Sequence, residues 1–285
     1  MLSVGLVGLD YCGSTLLCNL LGGLPGCIGV GETHWIIDNQ KNKTMDAGRC
    51  RECGPQDCPI FTDHLLKELN HKTTVDTGSW WRTIADSSGS DIVISGDKRP
   101  RHYEKLGVPD KLIFIIKDPR AHIVSKAARV LGGVDLRDYS NGTSFFEMSD
   151  DELDFEIGFW IDETERHLDW ALKSEKPVLA ISIESLIKNN QDYIGEIAQW
   201  IGTEYDQKSI KFWESELHYI GGNHSMKRLD ESRYFFRDLK VDKRWKNVLN
   251  ENQQNYLEDN LEINYQLRRL ENIVAQGTEF FHCNA

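Results

Sequence analysis

Residues 112–117 read Leu-Ile-Phe-Ile-Ile-Lys, five apolar side chains in succession with no polar alternation. A strand with one wet face alternates. An unbroken β-branched and aromatic run belongs to a strand covered on both faces, the habit of parallel sheets. Three further short runs read as strands: 3–9, 91–96 (Asp-Ile-Val-Ile-Ser-Gly) and 177–183 (Pro-Val-Leu-Ala-Ile-Ser-Ile). Helical patterns lie between them. One covers 14–24, with Leu16, Leu17, Leu20 and Leu21 on a single face, and another covers 120–131. The clearest helix opens with Ser149-Asp150-Asp151-Glu152, a capping box whose acidic residues suit the positive end of the helix dipole. Leu153, Ile157, Trp160, Ile161, Thr164, Leu168, Ala171 and Leu172 continue its apolar stripe. Strands alternating with helices predict an α/β fold, a parallel sheet flanked by crossover helices. No repeat or Gly/Pro-rich linker interrupts the chain. The expected organisation is one domain over 1–285, with a Cys-containing insertion around 41–61 and a mostly helical part over 190–285 that ends in a helical stretch at 250–273.

Charge narrows the partners. The 285 residues carry 33 Lys+Arg against 45 Asp+Glu, a formal net charge of −12. Such a surface repels nucleic acid, whose grip on proteins is largely phosphate neutralisation, so any anion site must be local. The balance also favours a cationic small molecule. No apolar run approaches the roughly 18 residues of a membrane span. The first residues lack the basic segment of a secretory signal, and the cysteine count is odd, at seven. A reducing, cytoplasmic setting and a monomer or homodimer are therefore expected.

Ligands of open α/β sheets bind beyond the carboxyl ends of the strands. The first such place is Gly8-Leu9-Asp10-Tyr11-Cys12-Gly13-Ser14-Thr15-Leu16, a turn after a strand that opens a helix. Its amides and hydroxyls make a P-loop-like anion site at a helix N-terminus. The Gly8-to-Gly13 spacing is that of a Walker A loop, but Ser14 stands where the triphosphate-binding lysine belongs. The plain alternative is a βα turn capped by Ser14 or Thr15. A second place is Lys117-Asp118-Pro119-Arg120, with Ser125 eight residues after Lys117. A basic residue at a strand end and a serine in the next helix can converge on one phosphate.

These two units and their order resemble sulfotransferases that use 3′-phosphoadenosine 5′-phosphosulfate (PAPS) and release 3′-phosphoadenosine 5′-phosphate (PAP). The likeness is nearer to the carbohydrate, tyrosylprotein and bacterial branches than to the small-phenol enzymes. It implies a sulfotransferase fold. It also implies that residues 11–16 hold the 5′-phosphosulfate and that Lys117, Ser125 and Arg120 surround the 3′-phosphate. Two departures stand out. Tyr11 occupies the loop position that is basic in the family, and Lys117 replaces an arginine, turning a bidentate fork into a point charge. The pair Gly31-Glu32 matches the family's Gly-Glu, which implies Glu32 as general base, with His34 the alternative. Lys98, in Asp97-Lys98-Arg99-Pro100-Arg101-His102, matches a lysine that stabilises the bridging oxygen. Ile183-Glu184-Ser185-Leu186, and Gly221-Gly222-Asn223 through Trp245 with Lys227, Arg228 and Arg244, are weaker correspondences.

Cys50, Cys53 and Cys58 have CxxC spacing within a Gly/Pro-bearing stretch that bacterial relatives also carry. Zinc, a disulfide and free thiols all remain open, because a closed zinc site needs a fourth ligand and only His64 and His71 stand nearby. No metal is expected for the sulfuryl-transfer chemistry itself. The acceptor, a small hydroxyl or amine compound, is expected between residues 35–66, 80–88 and 132–148. Trp35, Trp80, Trp81, Phe145 and Phe146 there are either core or an aromatic box, and Glu32, Asp38, Asp86, Asp135, Asp138 and Glu147 favour a cation. Two other functions compete. A P-loop kinase or NTPase would need the missing lysine and a metal-binding aspartate, for which Asp118 is the only mimic. A catalytically weak nucleotide-binding relative would fit the substitutions at Tyr11 and Lys117.

Overall fold

A computed structural model describes residues 1–42, 48–54, 58–72, 79–130, 146–214, 217–222 and 240–277. Five strands form one parallel sheet: β1 (Leu2–Val7), β2 (Cys27–Gly31), β3 (Ile92–Lys98), β4 (Lys111–Ile116) and β5 (Val178–Ser182). Their spatial order is β2-β3-β1-β4-β5. The four expected strands are present with ends moved by one or two residues, and the fold is the α/β class anticipated. The non-alternating run at 112–117 is β4, paired on both sides and buried through Leu112–Ile116.

β2 has no counterpart in the sequence reading. Its segment Cys27-Ile28-Gly29-Val30-Gly31 carries two glycines, which weaken a strand signal. Packing explains one of them. A Cβ on Gly29 would lie 2.4 Å from the Cys18 carbonyl oxygen, so a bare backbone lets α1 (Ser14–Gly22) press onto the sheet.

Helices cover both faces. On one, α1 buries Leu16, Leu17, Leu20 and Leu21 as expected, joining Leu6-side strand residues and the helix α9 (Asn190–Ile201) in a single core. Burying a leucine of this kind contributes about 2 kcal/mol. On the other face pack α2 (His34–Asn42), α3 (Asp63–Lys72), α4 (Ser79–Ser88) and α5 (Pro100–Leu106). α6 (Pro119–Val130) follows β4, and the long α7 (Asp150–Lys173) starts at the predicted capping box. There Ser149 accepts from the Glu152 amide and Glu152 accepts from the Ser149 amide. Of its stripe only Leu172 faces solvent, 46% exposed, while Ala171 beside it is fully buried. The short α8 (Ile183–Lys188) follows β5. The expected helical stretch at 250–273 is two helices, α10 (Glu251–Asp259) and α11 (Leu261–Gly277), separated at Asn260. Among the described residues no helix is long and apolar enough to cross a membrane.

Candidate functional site

The carboxyl ends of β1, β3 and β4 lie side by side, and each feeds a turn into a helix. At β1, the turn passes through Tyr11 in the left-handed region (φ 67°) and Gly13 (φ 96°) before α1 begins. Gly13 is the N-cap, so no side chain caps α1; neither Ser14 nor Thr15 plays that part. The uncapped first-turn amides of a helix are donors that an anion can satisfy. Ser14, Cys12 and Leu16 are buried, Thr15 is half-buried, and Tyr11 is 43% exposed. Arg129 of α6 lies at the Tyr11 phenol and favours its ionised form, although burial and Asp10 together push that hydroxyl upward. A guanidinium thus stands beside the position where the loop itself lacks a charge.

Three buried histidines fasten this loop and its neighbour by their backbone oxygens. His167 Nδ1 lies 3.2 Å from the Gly8 oxygen, His122 Nε2 2.7 Å from the Asp10 oxygen, and His102 Nδ1 2.7 Å from the Asp97 oxygen. A carbonyl only accepts, so each ring nitrogen carries the proton. Burial, reinforced by nearby cations, pushes the three down to about 4, about 3 and about 4 respectively.

At the end of β3, Lys98 adopts a left-handed backbone (φ 62°), an uncommon conformation for a lysine and one found where a side chain must be aimed. Its Nζ donates to Glu32 Oε1 at 2.6 Å and lies 3.5 Å from Asp10. Burial opposes the Lys98 charge, but Glu32 and Asp10 outweigh it and hold the ammonium above its usual value. Trp35 Nε1 donates to the other Glu32 oxygen at 3.0 Å, and Arg99 pairs with Asp10. The structure therefore brings Glu32 and Lys98 into contact across 66 residues of sequence. His34 sits elsewhere, in a buried network. Its Nδ1 is 2.7 Å from Asp97, whose carboxylate also accepts from Thr33 and Ser95, and its ring stacks on His102 at 3.6 Å. Burial works against the Asp97 charge, and these hydrogen bonds hold its carboxyl below the usual value.

At the end of β4, Lys117 Nζ donates to Ser125 Oγ at 3.0 Å, so the eight-residue spacing does converge. Both also donate to one oxygen of Asp242, at 3.0 Å and 3.3 Å. Arg244 grips the same carboxylate at 2.8 Å and 2.6 Å. Despite burial, Arg244 and Lys117 hold Asp242 far below the usual carboxylate range. An anion coordinated by a lysine, a serine and an arginine thus occupies the convergence point. Arg120 is held by other partners. It forks onto its own Asp118, pairs with Glu258 and covers the Trp245 ring. Glu184, beyond β5, accepts the Asp118 amide at 3.0 Å and so ties two strand-end turns together.

No model of a known protein family and no curated protein matches the chain. Its architecture, however, is familiar. The sulfotransferase domain from the Synechococcus PCC 7002 olefin synthase is similar to it, with a TM-score of 0.56 at 14% identity over 90% of this chain and 93% of that one. The chain has the sulfotransferase fold. Weaker likenesses are a sulfotransferase from Alicyclobacillus acidocaldarius (TM-score 0.44, 12% identity, 95% of each chain) and mouse sulfotransferase SULT7A1 complexed with PAP (0.42, 13%, 96% and 89%).

Within this sulfotransferase fold, sequence reasoning singled out the loop, Glu32, Lys98, Lys117 and Ser125, and the structure brings Glu32 to Lys98 and Lys117 to Ser125. It left Asp242 and Arg244 unranked, since only the fold returns them to β4. Trp80 and Trp81 are core, 1% and 2% exposed, and line no aromatic box. Trp35 is half-buried and Phe146 packs beside α6 and α7. Phe145, Asp135, Asp138, Asn223, Lys227 and Arg228 lie outside the described residues. For the thiols, neither His64 nor His71 is the nearby imidazole; His218 is.

Proposed function

We infer that the chain is a sulfotransferase that moves a sulfuryl group from PAPS to a hydroxyl or amine of a small acceptor. The observation that carries this is the grip of Lys117, Ser125 and Arg244 on one anionic oxygen cluster, the Asp242 carboxylate, one strand away from an uncapped helix N-terminus. A carboxylate there is a stand-in for a phosphate, and the donor set suits the 3′-phosphate that distinguishes PAPS from ATP. The amides of residues 12–16 and the Tyr11–Arg129 pair face the 5′ side.

When bound, PAPS supplies the sulfuryl group and leaves as PAP. Glu32 takes the proton of the acceptor as the acceptor's oxygen or nitrogen bonds to sulfur. Lys98 leaves Glu32 and donates to the bridging oxygen, whose bond to sulfur breaks, and neutralises the charge that builds there. Their 2.6 Å contact keeps base and charge stabiliser together before the substrates enter. His34 and Asp97 hold the peptide that carries Glu32. The acceptor is cationic or strongly polar on this reading, since Trp35 and Glu32 offer an aromatic face beside a carboxylate and the chain is acidic.

One observation favours a second reading, a nucleotide-binding relative with weak catalysis: the loop position that the family fills with a base is Tyr11. Calorimetric titration with PAP and with ATP, followed by turnover of labelled PAPS against a panel of amines, guanidines, phenols and sugars, tests both. Tight PAP and weak ATP binding with turnover supports the transferase. PAP binding without turnover on any acceptor supports the relative, and ATP preferred over PAP overturns both.

A further inference from the structure

Cys50, Cys53 and Cys58 come from the segment after α2, and His218 from a strand-like piece 160 to 168 residues later. The three sulfurs and the imidazole nitrogen all lie within 4.8 Å of one another. His218 Nδ1 is 3.8, 3.5 and 3.5 Å from the three sulfurs. No disulfide joins the three cysteines. The three S···N distances match edges of a coordination tetrahedron. Zn–S bonds of about 2.3 Å and a Zn–N bond of about 2.0–2.1 Å at tetrahedral angles put each S···N edge near ~3.6 Å.

Local structure agrees. The CxxC pair sits on a turn closed by the Gly54 amide on the Cys50 carbonyl at 2.9 Å, and the Phe61 amide donates to Cys58 Sγ at 3.2 Å. An amide hydrogen bond to a sulfur is the kind of outer support that fixes a thiolate ligand. Cys50 and Cys58 are 2% and 3% exposed, so the centre would be shielded from solvent. Four protein donors, three of them soft sulfurs, close the shell and leave no open position for substrate.

We propose that Cys50, Cys53, Cys58 and His218 bind one zinc ion, and that this ion clamps residues 217–222 against the end of β2, which Glu32 follows. The clamped piece is continuous with the site. Ile220 bridges Gly31 on one side and Cys50 on the other. The Glu32 amide donates to the Ile220 oxygen at 2.6 Å, the Ile220 amide to the Val30 oxygen at 2.9 Å, and the Arg51 amide to the Tyr219 oxygen at 2.8 Å. Gly221 (φ +64°) lies so close that a Cβ there would meet Glu32 Cβ and Trp35 Cδ1 at 2.8 Å each. The metal thus holds the backbone against which Glu32 rests. The binding claim is independent of the sulfuryl-transfer reading, because none of its four donors has a part in that reaction.

The test uses the whole chain, purified with zinc present and then gel-filtered. Elemental analysis is expected to give one zinc per chain. Cobalt substitution is expected to give the intense absorption of a tetrahedral thiolate site. His218→Ala is expected to lower zinc affinity at least about tenfold, since loss of a ligand exceeds loss of an outer partner. His218→Cys restores binding, with the cobalt spectrum moving to that of four thiolates, and so separates a lost ligand from a lost fold. Hydrogen exchange at the Glu32 and Ile220 amides is expected to quicken when a chelator strips the ion. Metal-free protein after this preparation, or an intact mass that reveals a disulfide within the trio, overturns the site. Bound zinc with unchanged exchange at Glu32 and Ile220 overturns the clamp.

Discussion

The two flanks of the candidate site are built differently. On the donor flank, apart from Arg244, the contributing groups lie at or just beyond the end of a strand: residues 8–16 after β1, and Lys117 with Ser125 after β4. Strand, turn and helix fix these positions within a dozen residues, so spacing alone finds them. On the acceptor flank, Glu32 meets Lys98 across 66 residues and Cys53 meets His218 across 165. There the geometry exists only once β2, β3 and the 217–222 piece are docked. Groups set by local chain geometry tolerate change around them, whereas groups set by docking depend on everything that docks.

The largest effect expected from this contrast is on the acceptor flank. Glu32→Gln keeps size and the donor site, so PAP affinity in calorimetry stays within about twofold while turnover falls by roughly two to four orders of magnitude. Lys98→Ala is expected to slow transfer by about 10²–10³ and to weaken PAP binding far less, because its charge matters most as the bridging oxygen gains charge. Equal losses in rate and PAP affinity for Lys98→Ala would assign it to ground-state binding instead.

The donor flank yields to a single local cut. Lys117→Ala is expected to weaken PAP binding by about 1.5–3 kcal/mol, the cost of a charged hydrogen bond, with Ser125→Ala at the lower end of that range. Unchanged titration curves would remove both from the phosphate site. Asp242→Asn works in the opposite direction. It removes the internal anion that Lys117, Ser125 and Arg244 hold, so PAP should bind a few-fold more tightly; weaker binding would mean that Asp242 positions Arg244 rather than competing with phosphate.

A separate effect, and one that touches both flanks, is on stability. His102, His122 and His167 have folded pKa values of about 4, 3 and 4, below the ordinary value near 6.5. Below pH 6.5 the unfolded chain therefore binds protons that the native chain refuses. Stability is full above that pH and is lost as pH falls toward 4 and 3, at most about 1.4 kcal/mol per pH unit for each histidine. Urea midpoints measured from pH 7.5 down to 5 are expected to decline, and the slope should flatten in His122→Gln. A flat profile between pH 7 and 5 would contradict the neutral, carbonyl-bound rings.

How far the sequence was legible follows the same division. The apolar runs give four strands, and the Ser149 capping box fixes the start of α7 to the residue. β2 escaped because Gly29 and Gly31, needed where α1 and Ile220 press in, erase its strand signature. For Trp80 and Trp81 the sequence favours a core but leaves a pocket open, since an aromatic pair carries no mark of which side of a helix faces the sheet. Lys117 and Ser125 were visible as a pair, but Asp242 and Arg244 gained meaning only from the long return of the chain to β4. His218 had no signal at all, because a histidine remote from a CxxC pair is indistinguishable from any other until the backbone brings it back.

The pairing of the site's cations bears on how a substrate would arrive. Lys98 is matched by Glu32 and Asp10, Arg99 by Asp10, Lys117 and Arg244 by Asp242, and Arg120 by Asp118 and Glu258. Seen from beyond a Debye length of about 10 Å at 0.1 M salt, these paired groups project almost no net positive potential and Arg129 at Tyr11 adds a single charge, while the whole chain projects −12. A multiply charged anion approaching from solvent is thus not drawn in but mildly repelled, and its encounter is a collision won against the field. Adding salt, which slows the capture of anions by openly basic clefts, should here leave the association rate unchanged or raise it.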